Sequence, residues 1–449
     1  MTRRMMQRAT AVLLMAAMAG AAMAGAAAAH TGDQAYVYLD IFDSTIEGEI
    51  HYPVQDLNDV LGLDIPDEVE GAVAWAEANP DIIHKYSADH IAIADLDGSE
   101  WPIVFTTFDG LEVADGAYLL AVFEVDREFA EVPRQFLVTY DAIMHAKPAR
   151  DALLGIATDF GSGTFNNEAD TLLRYTAGNT TQTVDLGETS FWSGMTAVIA
   201  LGTEHIRIGA DHILFILALV LPSVLVFGRS GWQPSPSFGA SLWRVLKIVT
   251  MFTLAHTITL TLGGLGIIEL PSAFVETVIA ISIILAALHN IRPVLVNREW
   301  IIAFGFGLVH GFGFAGLLGD LGLTQSRLFV SLFGFNLGIE IGQAIIIVLV
   351  FPALYLARRT VAYLSAMNLG SVLLIVIASA WAIERAFDTS LGTDWFMVRA
   401  SVWPRQLIPV VLAYLLGGFA FIRDRNNGRL LPLPSGIDSS EPAVVLAET

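Results

Sequence analysis

The sequence contains no cysteine and few charged residues. Without cysteine the chain can form no disulfide, no thiolate metal site and no cysteine nucleophile. Charged residues make up 15% of the 449 positions, whereas 54% are hydrophobic and the mean hydropathy is +0.59. Basic residues number 24 against 45 acidic ones, so the formal net charge is −21. These values predict a membrane protein with no nucleic-acid partner. The sequence also has no Walker-type loop, so we expect no direct ATP hydrolysis by this chain and no nucleotide cofactor.

Hydropathy divides the chain into four parts. The first part has a basic start, an apolar stretch and a run of small residues before His30, which together are typical of a cleaved signal peptide. Cleavage there places the new N-terminus outside the cytoplasm. We therefore expect a signal peptide at 1–29, an extracytoplasmic domain at 30–186, a membrane domain at 187–422 and a disordered cytoplasmic tail at 423–449.

The extracytoplasmic part is rich in strand patterns. Alternating and β-branched or aromatic residues occur in AYVYLDIF, TIEGEIHYPV, HIAIADL, AYLLAVFEVD and RQFLVTYDAI. One helical segment interrupts them between Asp67 and Asn79. The pattern predicts a β-rich, sandwich-like domain. Five histidines lie in this part, and their spacing in the sequence identifies no metal site.

Seven apolar runs after Phe191 are long enough to cross a bilayer. Lysine and arginine cluster after the first, third, fifth and seventh runs. By the positive-inside rule the N-terminal domain then lies outside the cytoplasm and the C-terminus inside, so we expect a multi-pass protein of the inner membrane. The predicted spans are 205–227, 245–267, 273–291, 300–319, 328–356, 361–384 and 404–422.

The first run begins with an unusual set of ionisable residues, TEHIRIGADHILF. Charged groups beside a membrane segment are expensive to desolvate and therefore often mark an ion path. On one continuous helix His205 and His212 are two turns apart and share a face, with Asp211 close to it. Two imidazoles and a carboxylate suit divalent nickel, cobalt, zinc or iron.

Four later spans add further polar groups. His256 is flanked by threonines in the second span, and His310 lies among glycines in the fourth. Glu276 begins an inward stripe in the third span, and Glu340 belongs to a polar face with Asn336 and Gln343 in the fifth. A bundle that brings these groups together predicts a metal site formed by His205, Asp211, His212, His256, Glu276, His310 and Glu340. Mutual pairing of histidines and glutamates without a metal is the alternative.

These motifs resemble the HupE/UreJ family of hydrogenase- and urease-associated membrane proteins, in the longer branch with an added extracytoplasmic domain. The resemblance covers roughly residues 200–345. It rests on EHIRIGADHILF, FTLAHTITL, the span with Glu276, FGLVHGFGFAG and FNLGIEIGQ. It implies a permease or delivery protein with nickel as cargo and nickel-enzyme maturation proteins as partners. Its implied metal positions are His205, Asp211, His212, His256 and His310.

Three functions remain open at this stage. The first is transport of a divalent transition metal, nickel or cobalt, along the polar groups of the spans. The second is an intramembrane zinc-dependent hydrolase, with Ser282 or Thr257 assisting, although the sequence has no His-Glu-x-x-His motif. The third is a metal-sensing or accessory membrane protein whose outer domain binds a partner.

Overall fold

The computed structural model describes residues 34–113, 116–165, 171–228, 231–268, 270–296, 298–314, 325–393 and 407–434. The chain divides into two compact units, Met1–Gly194 and Met195–Thr449. The predicted signal peptide lies outside the described residues.

The first unit contains two β-sheets around one hydrophobic core. The strands are β1 Ala35–Ile41, β2 Ile46–Pro53, β3 Ile91–Ala94, β4 Glu100–Trp101, β5 Ile103–Val113, β6 Gly116–Val125, β7 Gln135–Tyr140, β8 Asp151–Asp159, β9 Thr171–Thr176 and β10 Thr181–Asp185. The larger sheet has the order β5-β6-β2-β1-β8-β9 and the smaller one β10-β7-β3-β4, with antiparallel pairs except between β1 and β8. Buried side chains of both sheets, such as Phe123 and Phe136, belong to the same core, which confirms the β-rich prediction.

Three helices interrupt the strands, where the sequence predicts one. They are α1 Val54–Leu61, α2 Val69–Ala78 and α3 Pro80–His90. The first is only eight residues long and follows a strand pattern directly, so its period is hard to distinguish in the sequence. The third begins with proline at its first turn, a position where the missing N–H costs no helical hydrogen bond.

The second unit is a bundle of apolar helices. Five of the described helices are long and apolar enough to cross a membrane, and a bent helix pair supplies a sixth span if it is counted as one. The predicted fourth span appears as a twelve-residue helix followed by a short 3₁₀ turn, and its last part lies outside the described residues. The helices are α4 Phe191–Ile208, α5 Ala210–Ser223, α6 Phe238–Gly264, α7 Ser272–Ile291, α8 Glu299–His310, α9 Gln325–Ala357, α10 Tyr363–Phe387 and α11 Leu407–Asn426.

The first predicted span is broken, which corrects the expectation of one continuous helix over 205–227. Helices α4 and α5 meet at Gly209 with a bend of 72°. Helix α5 ends at Ser223, and a hairpin of β11 Leu225–Gly228 and β12 Gly231–Pro234 follows. The ionisable residues therefore lie at a break between two helices, not at the start of one.

The part of the predicted tail that the structure describes is folded. Helix α11 extends to Asn426, and the backbone N–H of Leu431 donates to the carbonyl of Arg359. Buried Asp424 accepts a hydrogen bond from the N–H of Val361. These contacts hold the residues after Arg423 against the end of the bundle, where sequence composition predicts disorder.

Glycines allow two close helix contacts in the bundle. Gly334, Gly338 and Gly342 recur every fourth residue of α9 and face Met195, Ile199 and Ile206 of α4. A side chain at Gly338 would overlap the carbonyl oxygen of Ile199. Small residues at this spacing let two membrane helices approach at the backbone level.

The second glycine contact involves α8 and α6. Gly307 packs on the backbone of Phe252, and Gly311, just after α8, packs on the carbonyl of His256. The helices that carry His256 and His310 are therefore held close together.

Candidate metal centre

Two histidines face each other across the break in the first span. His205 lies in the last turn of α4 and His212 in the first turn of α5. Gly209 between them adopts φ −67° and ψ 96°, outside the helical region, so α5 starts in a new direction. On an unbroken helix the two residues would be about 10 Å apart along the axis. Their imidazole centres are instead 4.7 Å apart.

His212 is the centre of a four-histidine cluster. Its ring centre lies 6.0 Å from that of His256 and 5.4 Å from that of His310. One ligand nitrogen each from His205, His212 and His256 lies within 4.8 Å of the others. His256 is fully buried, and His212 and His310 are 3% and 2% exposed. Four positions predicted as ligands from the sequence thus converge from four helices.

Hydrogen bonds orient three of these imidazoles. Nδ1 of His212 lies 3.0 Å from Oδ1 of Asp211, and Nδ1 of His310 lies 3.0 Å from the carbonyl oxygen of Phe306. Nδ1 of His256 lies 3.2 Å from the side-chain oxygen of Asn336. Because each partner is an oxygen acceptor, Nδ1 donates and the neutral ring keeps its lone pair on Nε2.

The remaining nitrogens of these rings are available as ligands. Within the described residues, Nε2 of His212, His256 and His310 is buried and has no hydrogen-bond partner. A buried polar atom of this kind costs free energy unless a ligand compensates it. Metal-binding histidines are commonly fixed through the other ring nitrogen by a carboxylate, amide or carbonyl group. The donor set therefore fits a cation of intermediate hardness.

Asp211 supplies negative charge to the cluster through His212. Its side chain is 21% exposed and pairs with the adjacent imidazole. It lies outside the group of three convergent histidine nitrogens. The sequence predicts Asp211 as a metal ligand. In the structure Asp211 contacts Nδ1 of His212, which is how a carboxylate orients a histidine ligand.

The two predicted glutamates lie apart from the histidines. Glu276 pairs with Arg385 at 2.7 Å and accepts a hydrogen bond from Ser272. Glu340 accepts a hydrogen bond of 2.5 Å from Thr250. Among the described contacts neither carboxylate pairs with a histidine, so the alternative of histidine–glutamate pairing is not found at these two residues. Neither glutamate, predicted from the sequence as a metal ligand, belongs to the convergent histidine group.

Sequence reasoning missed the role of Asn336. The polar face of Asn336, Glu340 and Gln343 on α9 does face α6, where Gln343 accepts a hydrogen bond from Thr253. The side-chain nitrogen of Asn336 donates to the carbonyl of Leu332 at 2.7 Å, which turns its oxygen toward His256. The spacing of the polar face was a usable signal, but it did not show which residue contacts a histidine.

The hydroxyl groups considered for hydrolysis are bonded to the backbone. Ser282 donates to the carbonyl of Ile279, and Thr257 donates to the carbonyl of Thr253. Neither hydroxyl has a histidine partner among the described contacts. Neither Ser282 nor Thr257 is therefore hydrogen-bonded to a base that could activate its hydroxyl as a nucleophile.

A layer of phenylalanines lies one helical turn from the histidines. Phe215 packs on Phe252 with ring centres 4.9 Å apart and on Phe306 at 5.9 Å. Phe252 also contacts His310 at 4.8 Å. The three rings close the cluster on one side with apolar surface.

A small cavity lies one further turn beyond the phenylalanine layer. Its volume is about 40 Å³, enough for a few water molecules. Leu219, Ile248 and Ile302 contribute to its wall, and each lies four residues from a phenylalanine of the layer. The cavity also has polar lining from Arg244, His289, Asn290 and Glu299. Histidines, phenylalanines and cavity thus follow one another along three helices, over about 12 Å.

Comparison with known proteins identifies one family that resembles the membrane part of this chain. Residues 180–385 match the family model described as HupE / UreJ protein. The matched range contains all four histidines and the phenylalanine layer, and the residues before it form the extra N-terminal part. Searches of curated proteins and of solved structures gave no significant match. The membrane part of this multi-pass membrane protein therefore matches the HupE/UreJ family, which is linked to nickel and cobalt transport or to accessory roles.

Proposed function

We propose that this protein carries a divalent transition metal, nickel or cobalt, across the inner membrane by way of the four-histidine cluster. The observation that supports this most directly is the set of buried Nε2 atoms of His212, His256 and His310, each on a ring fixed through Nδ1. Such a site is prepared for a cation before the cation arrives.

The chemistry of the ligands favours nickel and cobalt over magnesium and calcium. Imidazole nitrogen suits borderline cations, whereas magnesium and calcium prefer oxygen ligands and retain water. A divalent cation also pays a large desolvation cost inside a membrane, which nitrogen ligands and the nearby charge of Asp211 offset.

The order of groups along the bundle suggests a route. A cation leaves the histidines, passes the layer of Phe215, Phe252 and Phe306, and enters the polar cavity with His289 and Glu299. Hydrophobic constrictions of this kind block ions while they are dry and closed. The basic loops predict that the cavity end of the bundle faces the cytoplasm, so the proposed direction is inward.

The experiment measures nickel and cobalt accumulation together with binding to the purified protein. His212→Ala and His256→Ala are expected to lower both binding and accumulation at least tenfold. Glu276→Gln is the matched control, because Glu276 pairs with Arg385 and not with the cluster. Unchanged accumulation in both histidine variants contradicts transport. Lost binding with unchanged accumulation instead supports an accessory, metal-sensing role.

A further inference from the structure

A second group of histidines lies in the β-rich unit, separate from the membrane cluster. His90 is the last residue of α3, and His145 belongs to the turn that follows β7. Their rings are stacked with centres 4.1 Å apart and planes inclined by 14°. Asp141 lies between the two in the chain and contacts His90 through its carboxylate.

Backbone hydrogen bonds hold these three residues in one frame. The N–H of Asp141 donates to the carbonyl of His90 at 3.1 Å, and the N–H of His145 donates to the carbonyl of Asp141 at 3.0 Å. Residues 51 positions apart in the sequence are thereby fixed side by side. Backbone positions held in this way lose little further freedom when their side chains bind a ligand.

The turn between Asp141 and His145 contains a strained residue. Ile143 has φ 67°, a conformation that a β-branched residue rarely adopts. Its N–H donates to the hydroxyl of Tyr86 at 2.8 Å, and its side chain is buried. Strain of this kind persists only where the surroundings impose it, and it is concentrated at functional sites.

Tyr86 connects the strained turn to both histidines. Its ring centre lies 4.7 Å from that of His90 and 5.9 Å from that of His145. Burial raises the pKa of Tyr86 to about 12, so its hydroxyl is neutral at physiological pH. The tyrosine ring thus packs beside both imidazoles, while its hydroxyl accepts the N–H of the turn.

We propose that His90 and His145 bind a divalent transition metal at the surface of the β-rich unit, with Asp141 orienting His90. Nδ1 of His90 lies 2.6 Å from Oδ1 of Asp141, so it donates and leaves the lone pair of Nε2 for a metal. His145 is exposed, and its ring has to turn out of the stack with His90 for its nitrogen to reach the same ion. Two nitrogen ligands with water in the other positions give an exchangeable site, suited to capture and release.

The test uses Cu²⁺ as a spectroscopic probe on the full-length protein. The background carries His212→Ala and His256→Ala to disable the membrane cluster. It also carries His30→Ala, because a chain that begins at His30 after the predicted cleavage would bind copper through its amine and imidazole. Electron paramagnetic resonance is expected to show a copper site with two nitrogen ligands. His90→Ala and His145→Ala each remove that signal, and Asp141→Asn weakens binding 10- to 100-fold.

His84→Ala is the matched control, because His84 belongs to the same helix as His90 and stacks on Phe105 and Phe108 instead. Since His145 is exposed, its replacement leaves the core intact and keeps the test decisive. A copper signal that survives both His90→Ala and His145→Ala overturns the proposal. The measurement involves no transport, so its outcome is independent of the function proposed for the membrane cluster.

Discussion

The Nδ1 atom of His256 lies 3.2 Å from the side-chain oxygen of Asn336, a contact that joins α6 to α9 inside the bundle. Both residues are buried, at 0% and 5% exposure. The amide nitrogen of Asn336 is occupied by the carbonyl of Leu332, so the amide can present only its oxygen to the ring. This asparagine therefore determines which nitrogen of His256 is available to a metal.

Replacing Asn336 by leucine is expected to weaken nickel binding about 10- to 100-fold, because His256 loses the group that orients it. Asn336→Asp retains an oxygen acceptor for Nδ1 of His256 but loses the bond to Leu332, so it should recover only part of the affinity. Isothermal titration of the purified protein measures the effect. Gln343→Leu, which removes a polar group of the same helix that contacts Thr253, serves as the control. Equal affinities in Asn336→Leu and the unaltered protein contradict this role of Asn336.

A side chain at Gly209 is expected to disturb the cluster directly. A β-carbon there would lie 2.6 Å from the carbonyl oxygen of His205 and 3.1 Å from both Oδ1 of Asp211 and Nδ1 of His212. Gly209→Ala therefore has to shift the pair that orients His212, and nickel affinity should fall at least tenfold. Gly305→Ala is the control, because a β-carbon at that position meets no atom within 4 Å. Retained affinity in Gly209→Ala speaks against a site at the helix break.

The sequence predicts the parts of this protein that depend on local pattern. Alternation reveals most strands of the β-rich unit, and the length of apolar runs reveals the long membrane helices. The histidines stand out because ionisable residues in a membrane have a high cost. Each of these signals lies within about twenty residues of chain.

Other features depend on tertiary contacts that no short segment contains. The break at Gly209 is one glycine in an apolar run, and such glycines also occur inside continuous helices. The spacing of Glu276 predicts an inward ligand, but Arg385 from another helix pairs with it. His90 contacts Asp141 because α3 packs on the sheet, and the two residues are 51 positions apart in the sequence. The sequence therefore names candidate ligands more readily than their partners.

The contact between α4 and α9 is expected to tolerate no side chain at Gly338. A β-carbon there would overlap the carbonyl oxygen of Ile199 and approach the backbone nitrogen of Thr203. Because both are backbone atoms, the helices have to separate, at a cost of about 1–3 kcal/mol. Thermal unfolding in detergent should show a lower midpoint for Gly338→Ala. Gly418→Ala, where a β-carbon has open space, should unfold like the original protein. The same midpoint for both variants rules out a tight glycine contact.

Stability of the β-rich unit is expected to depend on Asp56. This carboxylate is 3% exposed and accepts from Lys147 at 2.7 Å and from Arg150 at 3.0 Å. Asp56→Asn removes the charge that both cations share, and we expect a loss on the order of 3 kcal/mol. Asp59 also pairs with Lys147, but its side chain is 68% exposed. Asp59→Asn should therefore cost less than about 1 kcal/mol. Pulse proteolysis in urea measures the free energy of unfolding of both variants. Equal losses in the two variants contradict a larger contribution of the buried Asp56.

The phenylalanine layer is expected to control passage and not binding. Phe252 contacts Phe215 on one side and His310 on the other, so its removal leaves a gap between the histidines and the polar cavity. A wider, wetter gap no longer excludes ions, because a hydrophobic constriction blocks them only while it is dry. In vesicles, Phe252→Ala should thus increase the downhill flux of nickel and also admit manganese.

Nickel binding to the purified variant is the first control. An affinity within about threefold of the original value shows that the cluster is still folded, so that an increased flux is due to leakage and not to unfolding. Phe329→Ala on α9, where the ring is 52% exposed, is the control for losing a phenylalanine in the same bundle. If binding is retained and flux falls or does not change in Phe252→Ala, the aromatic layer is a packing contact and the route from the cluster to the cavity lies elsewhere.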